Sequence, residues 1–288
     1  MKVLVTGATG FIGKHVLHVL ERKKIDYVIL GRGDIDNQIK IQCNLLENDD
    51  LVCALKKIKP THLIHLAWYT EHGKYWESPL NISWLVSSCR LVEAFCQSGG
   101  RHVLIAGTCA EYDWRYGYCV EDLTPLNPKT LYGIAKNVTR SLVENVCEKH
   151  KVGFVWTRIF FPYGPGESKE RLIPSLFGVF QDEKPAFGVN AHVYRDLLHV
   201  TDVAEAIAVC SENEALGKIN ISSAEPLSLE MIVKEIALIC KKLPDEVLSL
   251  DSPRIGEPKF LVGDNDKLKK LGWKKNISFE QGIKNYKY

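Results

Sequence analysis

The chain has 288 residues, 45% hydrophobic and 25% charged, with a formal net charge of +2. That is the balance of an ordinary globular protein with enough chain for a sizeable core, as one large domain or as a nucleotide-binding domain with a smaller lobe. It offers no field for nucleic acid or an anionic membrane and no apolar run of the roughly 20 residues a span needs, and its nine cysteines contain no C-x-x-C pair, so neither a zinc pattern nor a disulfide framework is expected.

Lys2-Val3-Leu4-Val5 reads as a strand that runs into a turn carrying Gly7, Gly10 and Gly13, and apolar residues at helical spacing follow (Ile12, Val16, Val19, Leu20). Strand, glycine turn and helix form a phosphate cradle. Gly7 makes the tight turn, Gly10 lets backbone lie against a pyrophosphate, and Gly13 lets the helix pack on its strand. The helix N-terminus adds free N–H donors for an anion. Because the apolar N-terminus is used as a strand and is interrupted by Gly7, Gly10 and Lys14, a signal peptide is not expected; reduced thiols in a cytoplasmic protein are.

Asp26 to Leu30 is the second strand, and Gly31-Arg32-Gly33 is the turn after it. An acid there suits the ribose of NAD, whereas an arginine suits the extra phosphate of NADP. Arg32 therefore favours NADP, while Asp34 and Asp36 keep NAD open. Ile39 to Cys43 gives a third strand followed by Asn44-Leu45, and Asn48 to Ile58 a helix ended by Pro60. His62 to Leu66 is a buried strand leading into Ala67-Trp68, and His65 reads as a packed core histidine. The aromatic stretch from Trp68 to Pro79, at the C-terminal end of a parallel strand, is placed at the edge of the ligand cleft. A long helix from about Ile82 to Ser98 stops at Gly99-Gly100.

Arg101 to Ala106 is the next strand and Thr108 leaves its end; Tyr132 and Lys136 then stand four apart at the start of another helix, on one face. An ammonium beside a phenol is expected to lower the phenol's pKa from ~10, so that it exchanges a proton with a substrate oxygen. That set suits hydride transfer at a carbinol or carbonyl carbon.

Thr6-Gly7-Ala8-Thr9-Gly10-Phe11-Ile12-Gly13, with Tyr132-Gly133-Ile134-Ala135-Lys136 at the right distance, resembles extended short-chain dehydrogenases/reductases, the nucleotide-sugar epimerases, dehydratases and reductases. The resemblance spans nearly the whole chain. It implies a doubly wound parallel α/β fold with a dinucleotide-binding domain over residues 1–162, a later segment near 190–212 returning to it, and a substrate lobe mainly over 163–288. It implies Thr108, Tyr132 and Lys136 as catalytic residues, and a dinucleotide held by Gly7, Gly10, Phe11, Ile12, Gly13, Arg32, Asn44, Leu45, Leu66 and Ala67 together with Tyr132 and Lys136. Asn44 stands where the family usually has Asp, and Phe161 where it has the Asn that touches the sugar nucleotide. Thr108, Phe161, Arg195 and Arg254 are the implied substrate contacts, the two arginines on a diphosphate. In Arg195-Asp196-Leu197-Leu198-His199-Val200-Thr201-Asp202 a strand leads to a helix capped by Thr201 or Asp202.

Cys109-Ala110 replaces the Asp-Glu of 4,6-dehydratases, which argues against dehydration. Cys109 is also one position out of register with the Cys of enzymes similar to GDP-fucose synthase; by side-chain alternation it points elsewhere and is non-catalytic. The expectation is NADPH-dependent reduction of the 4-keto group of a nucleotide-linked 4-keto-6-deoxyhexose. The alternative is a 4-epimerase with tightly held NAD. A homodimer through the long helices near 82–98 and 130–149 is implied as well, with no metal.

Overall fold

The computed structural model describes residues 1–32, 40–47, 51–253 and 256–286. In chain order its elements are β1 (Lys2–Thr6), α1 (Phe11–Arg22), β2 (Asp26–Gly31), β3 (Lys40–Gln42), α2 (Leu51–Ile58), β4 (His62–His65), α3 (Leu80–Gln97), β5 (His102–Thr108), β6 (Tyr118–Cys119) and α4 (Leu131–His150). They continue with β7 (Gly153–Ile159), β8 (Phe161–Tyr163), α5 (Leu172–Phe180), β9 (Tyr194–His199), α6 (Val200–Glu212), β10 (Gly217–Ile221), β11 (Pro226–Ser228) and α7 (Leu229–Cys240). The last are α8 (Asp245–Leu248), β12 (Phe260–Gly263), α9 (Asp266–Lys270) and α10 (Phe279–Lys284).

Among the described residues seven strands form one parallel sheet in the order β10-β7-β5-β4-β1-β2-β3. Its central strands are buried along their length, because helices cover both faces. On one face α1 and α6 enclose a core that includes Val16, Leu20, Val203 and Ile207; on the other α2, α3 and α4 enclose Leu55, Leu91, Phe95 and Val143. The chain leaves β1 toward β2 and β3, then crosses back to β4, β5 and β7. The switch between β1 and β4 is where such sheets open a ligand crevice at their carboxyl ends.

A second sheet, β11-β9-β12-β6 with β8 beside β9, carries α5 and α7 and forms the smaller lobe. The return expected near 190–212 is divided: α6 packs on α1 and β10 (Gly217–Ile221) is the outer strand of the large sheet, while β9 stays in the small one. The cap of α6 is His199, whose Nδ1 accepts from the Thr201 amide at 3.3 Å, rather than Thr201 or Asp202. Asp202 is buried and accepts the amides of Asn276 and Ile277, which occupy its carboxylate elsewhere. No helix among the described residues is long and apolar enough to cross a membrane.

The end of β5 is fixed by a charge buried inside the sheet. Thr108 caps a short 3-10 turn, Cys109–Glu111, in a capping box. The Glu111 carboxylate accepts the Thr108 amide at 2.9 Å, the Trp156 indole at 2.8 Å and the Arg158 guanidinium at 2.8 Å. Both members of the ion pair are buried, so each satisfies a charge that water cannot reach. Gly107 is small by necessity: a Cβ there would lie 2.1 Å from the Trp156 indole nitrogen. Arg158→Leu, which strands the Glu111 carboxylate, is expected to cost about 3–5 kcal/mol in urea denaturation; a loss below about 1 kcal/mol would contradict this account of the pair.

Candidate active site

Gly7 takes φ +71°, and a Cβ on it would lie 2.6 Å from the Ala67 amide nitrogen. A Cβ on Gly13 would lie 2.0 Å from the Gly7 carbonyl oxygen, so α1 can start this close to β1 only with glycine there. Gly10 is the N-cap of α1 and offers no side-chain cap, and the first turn carries no acid. The leading amides of Phe11 and Ile12 thus lack a side-chain acceptor, and the helix end favours an anion. Leu66 and Ala67 border the loop, held by the Thr6 carbonyl and hydroxyl at 3.2 and 3.3 Å. A cradle closed to any side chain and rich in amide donors fits the diphosphate of a dinucleotide.

Leu45 is buried, and its carbonyl accepts the Ser87 hydroxyl of α3. The Asn44 amide is engaged locally with Glu47 at 2.6 Å. Arg32 is exposed in the bend after β2. Asp34, Asp36 and Arg254 lie outside the described residues.

Thr108, Tyr132 and Lys136 meet at the end of β5. α4 begins at a Thr130 cap, whose hydroxyl accepts the Gly133 amide at 3.1 Å. A Cβ on Gly133 would lie 2.5 Å from the Ala110 carbonyl, so glycine is what lets the helix start against the 3-10 turn. The Thr108 hydroxyl and the Tyr132 phenol thereby face each other, near enough for the hydroxyl to favour the phenolate. Lys136, one turn on, is buried and donates to the Ala106 carbonyl at 2.7 Å.

The electrostatics differ from the sequence expectation. Tyr132 is enclosed by Trp68, Tyr75 and Trp76, with ring centroids 6.4, 4.9 and 5.8 Å away, all edge to face. Burial raises the phenol's pKa, outweighing the nearby Thr108 hydroxyl, which lowers it. Burial also lowers the Lys136 amine to about 7, against a smaller upward pull from Glu111. The lysine does not depress the phenol as expected, because desolvation acts on both groups and disfavours both charges. The Tyr132 phenol is therefore protonated at neutral pH. Tyr75, partly buried, has its phenol raised in the same way.

His65 is the core histidine the sequence suggested, its two ring nitrogens bonded to the hydroxyls of Thr6 at 2.6 Å and Ser88 at 2.8 Å. Burial lowers it to about 3, so it stays neutral. Cys109 lies in the 3-10 turn rather than an extended segment; its thiol packs among Tyr112, Cys119 and Phe160, and burial raises its pKa.

Arg195 sits on β9, over the ring of half-buried Phe161 at 5.9 Å. Its guanidinium donates to the Pro258 carbonyl and to Glu257, each at 2.8 Å. Sequence reasoning missed Arg171, which lies between Glu167 at 3.3 Å and the ring of Phe11, the first residue of α1, at 5.8 Å. It also missed Glu111, although the Thr108-x-x-Glu111 spacing is a capping-box signal.

Residues 3–222 match the NAD dependent epimerase/dehydratase family, and the chain belongs to it. It is thus an extended short-chain dehydrogenase/reductase, an oxidoreductase-type enzyme of the nucleotide-sugar epimerase/dehydratase group. It is 24% identical to mouse dTDP-D-glucose 4,6-dehydratase over 98% of this chain and 86% of that protein. Over 82% of this chain and 89% of the relative it is 24% identical to dTDP-6-deoxy-L-talose 4-dehydrogenase (NAD(+)) from Aggregatibacter actinomycetemcomitans. Among solved structures, UDP-glucose 4-epimerase from Thermus thermophilus, in complex with NAD, shares the fold with a TM-score of 0.86 at 23% identity, over 99% of this chain and 97% of that one.

The depressed lysine has a measurable consequence. From the ordinary 10.5 down to about 7, the unfolded chain binds the Lys136 proton that the folded chain releases, so the penalty on stability is full below pH 7 and relieved as pH rises through that window. Lys136→Met is expected to raise the melting temperature at pH 6, with the gain shrinking toward pH 10. A gain of the same size at both pH values would contradict the assignment.

Proposed function

We propose that the protein reduces the 4-keto group of a nucleotide-activated 4-keto-6-deoxyhexose, with NADPH as reductant. The observation that carries this reading is the neutral, buried phenol of Tyr132, facing the Thr108 hydroxyl, one helical turn from Lys136 and close to a cradle fitted to a dinucleotide. The cradle is Gly7, Gly10, Phe11, Ile12 and Gly13, with Leu66 and Ala67 beside it and Asn44 and Leu45 at the adenine end. Exposed Arg32 supports NADP by offering a paired donor to a ribose phosphate.

When bound, the reduced nicotinamide supplies the hydride that converts the carbonyl carbon to a carbinol. Tyr132 gives its phenolic proton to the carbonyl oxygen, so one hydride and one proton make the alcohol and the tyrosinate is left. The Thr108 hydroxyl orients that oxygen, and the Lys136 ammonium steadies the phenolate formed. A phenol held protonated by burial is ready in the donor form, which favours the reducing direction. Trp76 and Trp114, half-buried and edge to face at 6.4 Å, supply apolar surface beside Tyr132 for a ring that has lost hydroxyls. Phe161 and Arg195, with Arg254, are the proposed substrate contacts.

Cys109 and Ala110, where a dehydratase has its acid and base, argue against elimination. The second reading, a 4-epimerase with retained NAD, is supported by the likeness to the Thermus epimerase fold and uses the same three residues. Ile82 and Val86 on α3 and Ile134, Val138 and Leu142 on α4 are exposed at one-turn spacing, which supports a homodimer through these helices.

Tyr132→Phe is expected to lower turnover by at least ~10²-fold and leave NADPH binding within about twofold. Retained turnover would contradict the assignment of the acid. Val138→Glu is expected to halve the mass seen in sedimentation; an unchanged mass would exclude α3 and α4 as the interface.

A further inference from the structure

We propose that Trp68 is a positioning residue for Lys136, its indole forming the platform that keeps the buried ammonium charged and in place beside Tyr132. The inference rests on the role given to Lys136 above and adds the group that makes that role possible.

Lys136 is in an awkward position. Its side chain is buried, and its hydrogen bond among the described residues is the one to the Ala106 carbonyl at 2.7 Å. An ammonium has three donors, and leaving such a charge in a dry site without compensation drives it to shed its proton. Three other titratable groups face it: His65 from β4, Glu111 from the 3-10 turn, and Tyr132 from α4 itself. His65 is neutral between Thr6 and Ser88. Tyr132 is neutral as well. Glu111 is already shared among Arg158, Trp156 and the Thr108 amide. What remains is the face of Trp68, with the Lys136 Nζ 3.9 Å from its ring centroid. A π face so close to a desolvated cation replaces part of the lost hydration.

The indole is itself held. Its Nε1 donates to the Asn81 side-chain oxygen at 2.8 Å, and the Asn81 amide donates to the carbonyls of Tyr75 at 2.7 Å and Ser78 at 2.9 Å. Trp84 stacks near it, with ring centroids 6.4 Å apart. Asn81 is fully buried, so the start of α3, the loop from Trp68 to Pro79 and the lysine are coupled through one side chain. Trp68 acts here through its contact with Lys136, which makes it a positioning and not a catalytic residue.

The test is a direct titration. Protein labelled with 13C at lysine Cε is followed by NMR across pH 5–11, with the Lys136 signal assigned by its loss in Lys136→Met. Trp68→Phe keeps an aromatic face and is expected to titrate close to the parent, whereas Trp68→Leu is expected to titrate about one pH unit lower. Equal titrations in parent and Trp68→Leu would overturn the proposal, as would a drop in Trp68→Phe as large as in Trp68→Leu. Asn81→Ala, which frees the indole without removing it, is expected to fall between the two and serves if Trp68→Leu does not fold; a parent-like value in Asn81→Ala would remove the locking step. The titration needs no substrate. If it moves as expected while no 4-keto sugar is turned over, the functional reading falls and the Trp68 platform stands.

Discussion

The ion pair of Glu111 and Arg158 is the constraint on which the candidate site at the end of the sheet depends. It joins β7 to the turn after β5 with both side chains buried, and the same carboxylate takes the Thr108 amide. A buried pair of this kind is held by completeness: each lone pair and proton needs its partner, and the geometry that satisfies them is narrow. Thr108 is thereby fixed, Gly133 lets α4 approach the same turn, and Tyr132 and Lys136 follow from the helix. The glycine loop is built on a similar exclusion, where space too small for a Cβ sets the distance between β1, α1 and the end of β4.

Desolvation then decides the chemistry. The aromatic wall from Trp68 to Trp76 is 56 or more residues from Tyr132 in sequence but encloses it in space. It raises the phenol and lowers the amine, so the phenol is neutral and the lysine is balanced near pH 7. A low dielectric strengthens each dipole aimed at the developing oxyanion and makes any uncompensated charge expensive. The face of Trp68 and the carbonyl of Ala106 belong to that compensation.

Much of this was legible in the sequence because it is local. Gly7, Gly10 and Gly13 carry the backbone demands of the turn at fixed spacing, and Tyr132 and Lys136 share a helical face by periodicity. The strands announce themselves as short apolar runs between turns. What was not legible depends on contacts between distant segments. The direction of the Tyr132 shift is set by burial under the 68–76 loop. The cap of α6 passes to His199 because Asn276 and Ile277 engage Asp202. The division of the 190–221 region between the two sheets follows from strand pairing that no single motif encodes.

The central claim is net reduction, and its most direct measurement starts from the protein as purified. The protein is denatured, any released nicotinamide is identified, and absorbance at the reduced-nicotinamide band is followed when NADPH and dTDP-4-keto-6-deoxyglucose are added. The account predicts stoichiometric NADPH consumption by protein that carries no NAD. Co-purified NAD with no net NADPH use would contradict it and establish the epimerase reading in its place.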